Sequence, residues 1–171
     1  DYSYGGLFST CDALASAGIA FAGAGRDLAE ARAAAYVDTD TKRVSLVSMT
    51  SSFAAGAPAG YSHDGISGRP GINPLRFHQC VDRATLAQII DLAKKIGWWI
   101  AQVKPDEWEI HPPGLQNTVT RYFVSDEPGL RTLVNERDAQ ANLHALRNAR
   151  AHSDLVIAHL HGHEWEPNGD L

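Results

Sequence analysis

The sequence predicts a mixed α/β fold, and two stretches carry that prediction. Near the end, the helical pattern NERDAQANLHALRNARA runs directly into the apolar segment DLVIAHLHGHE, the order found in the second half of a βαβ unit. Earlier, VSLVSM at 44–49 is apolar in part on both faces, as an interior strand would be. At 171 residues, 44% of them hydrophobic and 20% charged, the chain suits one ordinary globular domain over residues 1–171 and excludes disorder.

The elements follow in order. GLFSTCDALASAG places Leu7, Cys11 and Leu14 on one side of a helix closed by Gly18. IAFAGAG reads as a short strand entering a glycine turn, and RDLAEARAAA restarts a helix with Asp27 as its N-cap. AAYVDTDTKRVSLVSMTSS reads as two strands about a polar turn at 39–42. From 51 to 76 the composition turns to Gly, Ser, Ala and Pro. A loop of that length, following the carboxyl end of a core strand, points to function. FHQCV is extended, and Asp82 caps RATLAQIIDLAKKIG, whose core stripe is Leu86, Ile89, Ile90, Ala93 and Ile96. NTVTRYFV reads as a strand, preceded by a Trp- and Pro-rich excursion. The last helix takes Asn135 as N-cap and sets Ala139, Leu143, Leu146 and Arg150 on one side. Residues 154–160 then read as a buried strand.

Charge and cysteine content narrow the partners. A net charge of -5 argues against an electrostatically driven nucleic-acid binder. A polyanionic substrate stays open, since a metal ion supplies a positive field locally. No apolar run approaches the ~20 residues of a membrane span, and no signal-peptide pattern is present in this chain. The chain opens on Asp1 rather than methionine and closes shortly after its densest motif, so we read it as an interior piece of a longer protein. Cys11 and Cys80 have no metal-like spacing. Cys11 reads as an inert thiol on the apolar side of its helix, and a single disulfide stays open.

The chemistry concentrates at HLHGHE. If the strand persists, His159, His161 and His163 share one face, at the strand end where α/β sheets gather ligands. Neutral imidazoles suit divalent transition ions, and Glu164 beside them suits a ligand, an orienting group or a general acid/base. The competing reading is a set of solvated, inert polar residues at a strand end. The spacing is not the helical H-E-x-x-H. A second concentration is GRPGINPLR, where Arg69 and Arg76 offer planar forks to carboxylate or phosphate and Asn73 offers an amide. A tight structural turn competes with that reading. GAGRD lacks both the Walker lysine and the G-x-G-x-x-G spacing of a nucleotide loop.

These residues resemble a known family. GGLFSTCDALASAGIAFAGAGRDLAEARAAAYVDT, GRPGINPLR and DLVIAHLHGHE match, in order, segments of the CapA family of capsule and poly-γ-glutamate biosynthesis proteins. The match covers nearly the whole chain and is weakest at 98–113. The resemblance implies a metallophosphatase-like layered α/β sandwich, a mixed sheet with flanking helices, here incomplete at both ends: the family's first strand and C-terminal segment are expected to be missing. It implies a divalent metal ion (Mn, Zn or Fe) held by His161 and His163, with His161 and Glu164 catalytic. Arg69, Asn73, Arg76 and Asp1 are the implied substrate contacts, Asp1 matching the acidic residue after the family's Asn-Asn-His motif. His159 stands where the family usually has serine, either adding a ligand or merely sitting on the sheet.

The expected function is accordingly a metal-dependent hydrolase or transferase acting on a phosphoryl or acyl-amide bond of an anionic small molecule or γ-linked glutamate polymer, in the cell envelope by resemblance. The alternative is a non-catalytic component that binds such a polymer during capsule assembly or export. A fold fragment with no activity of its own is a third reading.

Overall fold

The computed structural model describes residues 3–54, 56–111, 120–127 and 129–162. Among them the elements in chain order are α1 (Ser3–Ser16), β1 (Ala24–Gly25), α2 (Leu28–Arg32), β2 (Ala35–Asp38), β3 (Arg43–Thr50), β4 (Gly71–Ile72), β5 (Phe77–Val81), α3 (Arg83–Lys95), β6 (Trp99–Lys104), β7 (Glu107–His111), β8 (Thr120–Val124), β9 (Leu130–Val134), α4 (Glu136–Ala151) and β10 (Leu155–His161). The fold is mixed α/β, as predicted. The chain divides into two compact units: Asp1–Phe53, Ala57–Leu75 and Glu136–Leu171 form the first, and Ala54–Gly56 with Arg76–Asn135 the second. The reading of residues 1–171 as a single domain drew no boundary at Leu75 or Glu136, where the chain passes between them.

In the first unit, α1 ends as its glycine predicts. Gly18 takes φ +68°, and Ile19 N–H turns back to the Leu14 carbonyl at 2.9 Å. Leu7, Cys11 and Leu14 are half-buried together. The strand expected from 19 contracts to Ala24–Gly25, paired antiparallel with β4. Asp27 caps α2, its Oδ1 accepting from Glu30 N–H at 2.8 Å, and Glu30 reaches back to Arg26 N–H at 2.8 Å. The Glu30 amide, then the Ser62 hydroxyl, hold the Asp27 carboxyl below its ordinary range. The polar turn forms as predicted: Thr39 N–H bonds the Lys42 carbonyl at 2.8 Å, and β2 pairs antiparallel with β3.

The three-stranded sheet runs β10-β3-β2, with β10 parallel to β3. Its helix-facing side is the core: Val47, Met49 and Ala149 are buried, with Ala34, Leu75, Ala145, Leu146 and Val156 packed around them. Burying a side chain such as Val47 stabilises by about 2 kcal/mol relative to leaving it exposed.

Two expectations are corrected here. β10 is not a buried strand: it lies at the sheet edge, and Leu155, Ile157 and Leu160 are 53%, 48% and 55% exposed. Hydrophobic content predicted burial, whereas strand order among the described residues decides it. The expected side of α4 holds only in part: Ala139 and Leu146 are half-buried, whereas Leu143 is 42% exposed and Arg150 is exposed. The fully buried positions are Asp138, Asn142 and Ala149, because the two polar residues find partners inside.

Among the described residues the second unit holds a five-stranded sheet, β6-β7-β8-β5-β9, in which only β5 and β8 run parallel. Asp82 caps α3 by accepting from the amides of Ala84 and Thr85, both at 2.9 Å. Leu86 and Ala93 are buried and Ile89 and Ile90 half-buried, while Ile96 at the end is 48% exposed. The Trp-rich excursion contains the β6–β7 hairpin, which the sequence reading left without structure. Its strands alternate weakly: Ile110 is buried, but so is Glu107, and Trp99 is exposed, so no clean period of two marks them.

Candidate functional site

The parallel register of β10 on β3 sets His159 opposite Ser48 and His161 opposite Thr50. Since Val47, Met49 and Val156 face the core, alternation puts Ser48, Thr50, His159 and His161 on the other face of the sheet. Both histidines are exposed. At the carboxyl end of the pair, Ser51 N–H donates to the His161 carbonyl at 2.9 Å.

Two further segments meet this strand end. Thr50 N–H donates to the Asn73 carbonyl at 3.0 Å, Leu75 N–H to the Thr50 carbonyl at 2.7 Å, and Asn73 N–H to the Gly23 carbonyl at 2.8 Å. The glycine turn and the end of the long loop are thereby tied to β3. Gly23 lies so close that a Cβ there would sit 2.9 Å from Ser48 Oγ, and its φ is +94°. Ser48 Oγ in turn bonds His159 Nδ1 at 2.8 Å.

A buried polar network backs this arrangement. Asn73 is fully buried, and its Nδ2 donates to the Ser48 carbonyl at 2.9 Å and to Asn142 Oδ1 at 2.7 Å. Asn142 Nδ2 donates to the carbonyls of Pro74 at 3.2 Å and Asp138 at 3.0 Å. Arg32 Nη2 pairs with Asp138 Oδ1 at 2.8 Å, and Arg32 Nη1 donates to the Tyr61 hydroxyl at 3.2 Å. Asn73 Oδ1 has no hydrogen-bond partner among the described residues. Sequence reasoning missed Asp138, Asn142 and Arg32. The available signal was an Asp and an Asn four positions apart in a helix whose expected apolar stripe ended on an arginine.

The predicted site residues scatter accordingly. His161 and Asn73 come together at the end of β3 and β10. Asn73 is held as part of the scaffold. Arg69 directs Nε and Nη2 at the Pro58 carbonyl, at 3.1 and 2.8 Å, and so clamps its own loop with part of its fork. Arg76 belongs to the second unit, where its carbonyl accepts from Asn135 N–H at 2.7 Å. Asp1, His163 and Glu164 lie outside the described residues. The GAGRD turn is no phosphate cradle: the Asp27 carboxylate occupies the Glu30 amide, and Leu28 N–H donates to the Gly60 carbonyl at 2.9 Å. Cys11 and Cys80 are both free thiols.

For a divalent metal ion the donor chemistry fits in kind. Two imidazoles stand at alternate positions on one strand face, though no cluster of three His, Cys, Asp or Glu donors occurs among the described residues.

The pattern of the bacterial capsule synthesis protein PGA_cap matches residues 1–169. Two uncharacterized proteins of Sinorhizobium fredii (strain NBRC 101917 / NGR234), y4sH and y4uA, are each 30% identical to this chain over 170 residues. The alignments cover 96% of this chain and 35% of each relative, so the chain spans about a third of the length of the curated proteins it matches.

Proposed function

This chain belongs to the bacterial capsule synthesis protein family, metallophosphatase-like in fold, and we propose that it contributes a metal-dependent hydrolase or transferase site to capsule synthesis. The bond acted on is phosphoryl or acyl-amide, in an anionic small molecule or a γ-linked glutamate polymer. The observation that carries the reading is the placement of His159 and His161 on one exposed face at the carboxyl end of β3 and β10, where the Gly23 turn and the Asn73 segment also meet.

In this reading His161 and His163 hold the ion, and Glu164 orients a ligand or carries a proton. A bound divalent ion lowers the pKa of its water toward neutrality and polarises the scissile group. Arg69 and Asp1 contact the substrate, while Asn73 fixes the strand end through the Ser48 carbonyl.

Metal content by elemental analysis, wild type beside His161→Ala, tests this. About one or two transition ions per chain, lost in the variant, is the expected result. It would direct a screen of phosphoester and amide substrates. Absence of metal in both, with polymer binding that persists in chelator, would overturn the enzymatic reading in favour of a polymer-binding component.

A further inference from the structure

We propose that His159 is a functional residue of the strand end, its ring fixed by Ser48 through Nδ1 so that Nε2 is presented as a further imidazole ligand to the divalent transition ion at His161. The inference rests on the reading of His161 as a metal ligand and extends it to the histidine two positions before it, where the family usually has serine.

Geometry is the first argument. His159 and His161 are alternate residues of one strand with side chains on the same face, and both are exposed. Alternate strand residues lie about 6.6 Å apart along the chain, a spacing at which two imidazoles converge on one ion.

Orientation is the second. A merely solvated histidine at an edge strand has no need of a fixed ring. Here Nδ1 is tied to Ser48 Oγ at 2.8 Å, while Nε2 makes no hydrogen bond among the described residues. Ser48 is itself held from several sides. Gly23 packs against its Cβ and Oγ, leaving no space for a Cβ in that turn. Its carbonyl accepts from the buried Asn73 amide at 2.9 Å. The network behind Asn73 therefore fixes the serine, and the serine fixes the ring.

Proton placement is the third. In the tautomer with its proton on Nδ1, the ring donates to Ser48 Oγ and Nε2 carries the lone pair that a metal requires. This is the arrangement in which an outer hydrogen-bond acceptor sets the tautomer of a metal-bound histidine.

The test is Zn²⁺ and Co²⁺ binding to the 171-residue chain by calorimetry and visible absorption, with His159→Ser, His159→Ala, Ser48→Ala and His161→Ala beside wild type. Circular dichroism confirms that each variant is folded. Both His159 variants are expected to weaken Zn²⁺ binding by at least about tenfold, and Ser48→Ala by roughly tenfold. Long-range ¹H–¹⁵N spectra of the imidazoles should show His159 with its proton on Nδ1 and a Zn²⁺-induced shift at Nε2. If His161→Ala abolishes binding while both His159 variants and the Nε2 signal are unaffected, the role of His159 is overturned and the reading of His161 stands. If His161→Ala binds as wild type does, or wild type binds no ion, the reading of His161 is overturned and the shared ion with it.

Discussion

Replacing Asp138 by alanine should be among the most damaging single changes in the first unit. The Arg32 and Asp138 side chains are 11% and 1% exposed and meet at 2.8 Å. Removing the carboxylate leaves a nearly buried guanidinium whose remaining hydrogen-bond partner among the described residues is the neutral Tyr61 hydroxyl at 3.2 Å. Breaking one half of such a buried pair costs about 3–5 kcal/mol, a factor of roughly 10² to several 10³ in the unfolding equilibrium. With a urea m-value of about 1.5–2 kcal/mol/M, the midpoint falls by roughly 1.5–3 M. The assay is urea unfolding followed by far-ultraviolet circular dichroism. Replacing both partners, Arg32→Met with Asp138→Leu, should restore the midpoint to near wild type, since an apolar pair of similar volume removes both desolvation penalties. The surface pair Arg43–Asp38, 48% and 64% exposed, is the control and should matter far less. A midpoint shift below about 0.5 M for Asp138→Ala, or a double variant as unstable as the single, would refute the reasoning.

Three further outcomes are expected. A Cβ on Gly71 would overlap the Ala57 carbonyl and approach Ala59 N to 2.6 Å, so Gly71→Ala should destabilise by about 1–3 kcal/mol; an unchanged melting temperature rules this out. The Asp82 carboxyl is held well below the ordinary range by the Thr85 hydroxyl, then by the amides of Thr85 and Gly129. Its folded pKa is depressed, so its contribution is complete above the unfolded value near 4 and is lost as pH falls through the lower folded value. Stability of the wild type should therefore fall more steeply below about pH 4 than that of Asp82→Asn, and parallel profiles would contradict it. Burial, followed by the charges of Glu30 and Asp12, pushes the Cys11 thiol up, so iodoacetamide should alkylate it at pH 7.5 more slowly than it alkylates glutathione; an equal or faster rate would sink the idea.

Local chemistry was legible from the residues. Asp27 and Asp82 cap the helices they precede, Gly18 ends α1, and Thr39 to Lys42 closes the hairpin, because each depends on a side chain within a few positions of the backbone it bonds. The strand-end histidines were equally legible, since alternation alone places His159 and His161 on one face. The α4 stripe was not. Counting apolar positions passed over Asp138 and Asn142, whose burial depends on Arg32 and Asn73, 106 and 69 residues away. β6 and β7 were missed for a related reason: their pairing buries Glu107 along with Ile110 and exposes Trp99, so no regular alternation marks them.

By itself the sequence determined the α/β class, the family, the caps and turns, and the face on which the histidines stand. All of these follow from short-range periodicity or from residue order. Only the tertiary structure decided that β10 is an edge strand among the described residues, that Asn73 and part of the Arg69 fork hold the protein's own backbone, and that Ser48 bonds His159. Which distant group satisfies a polar atom is set by register and packing between segments far apart in the chain, and no local pattern encodes it.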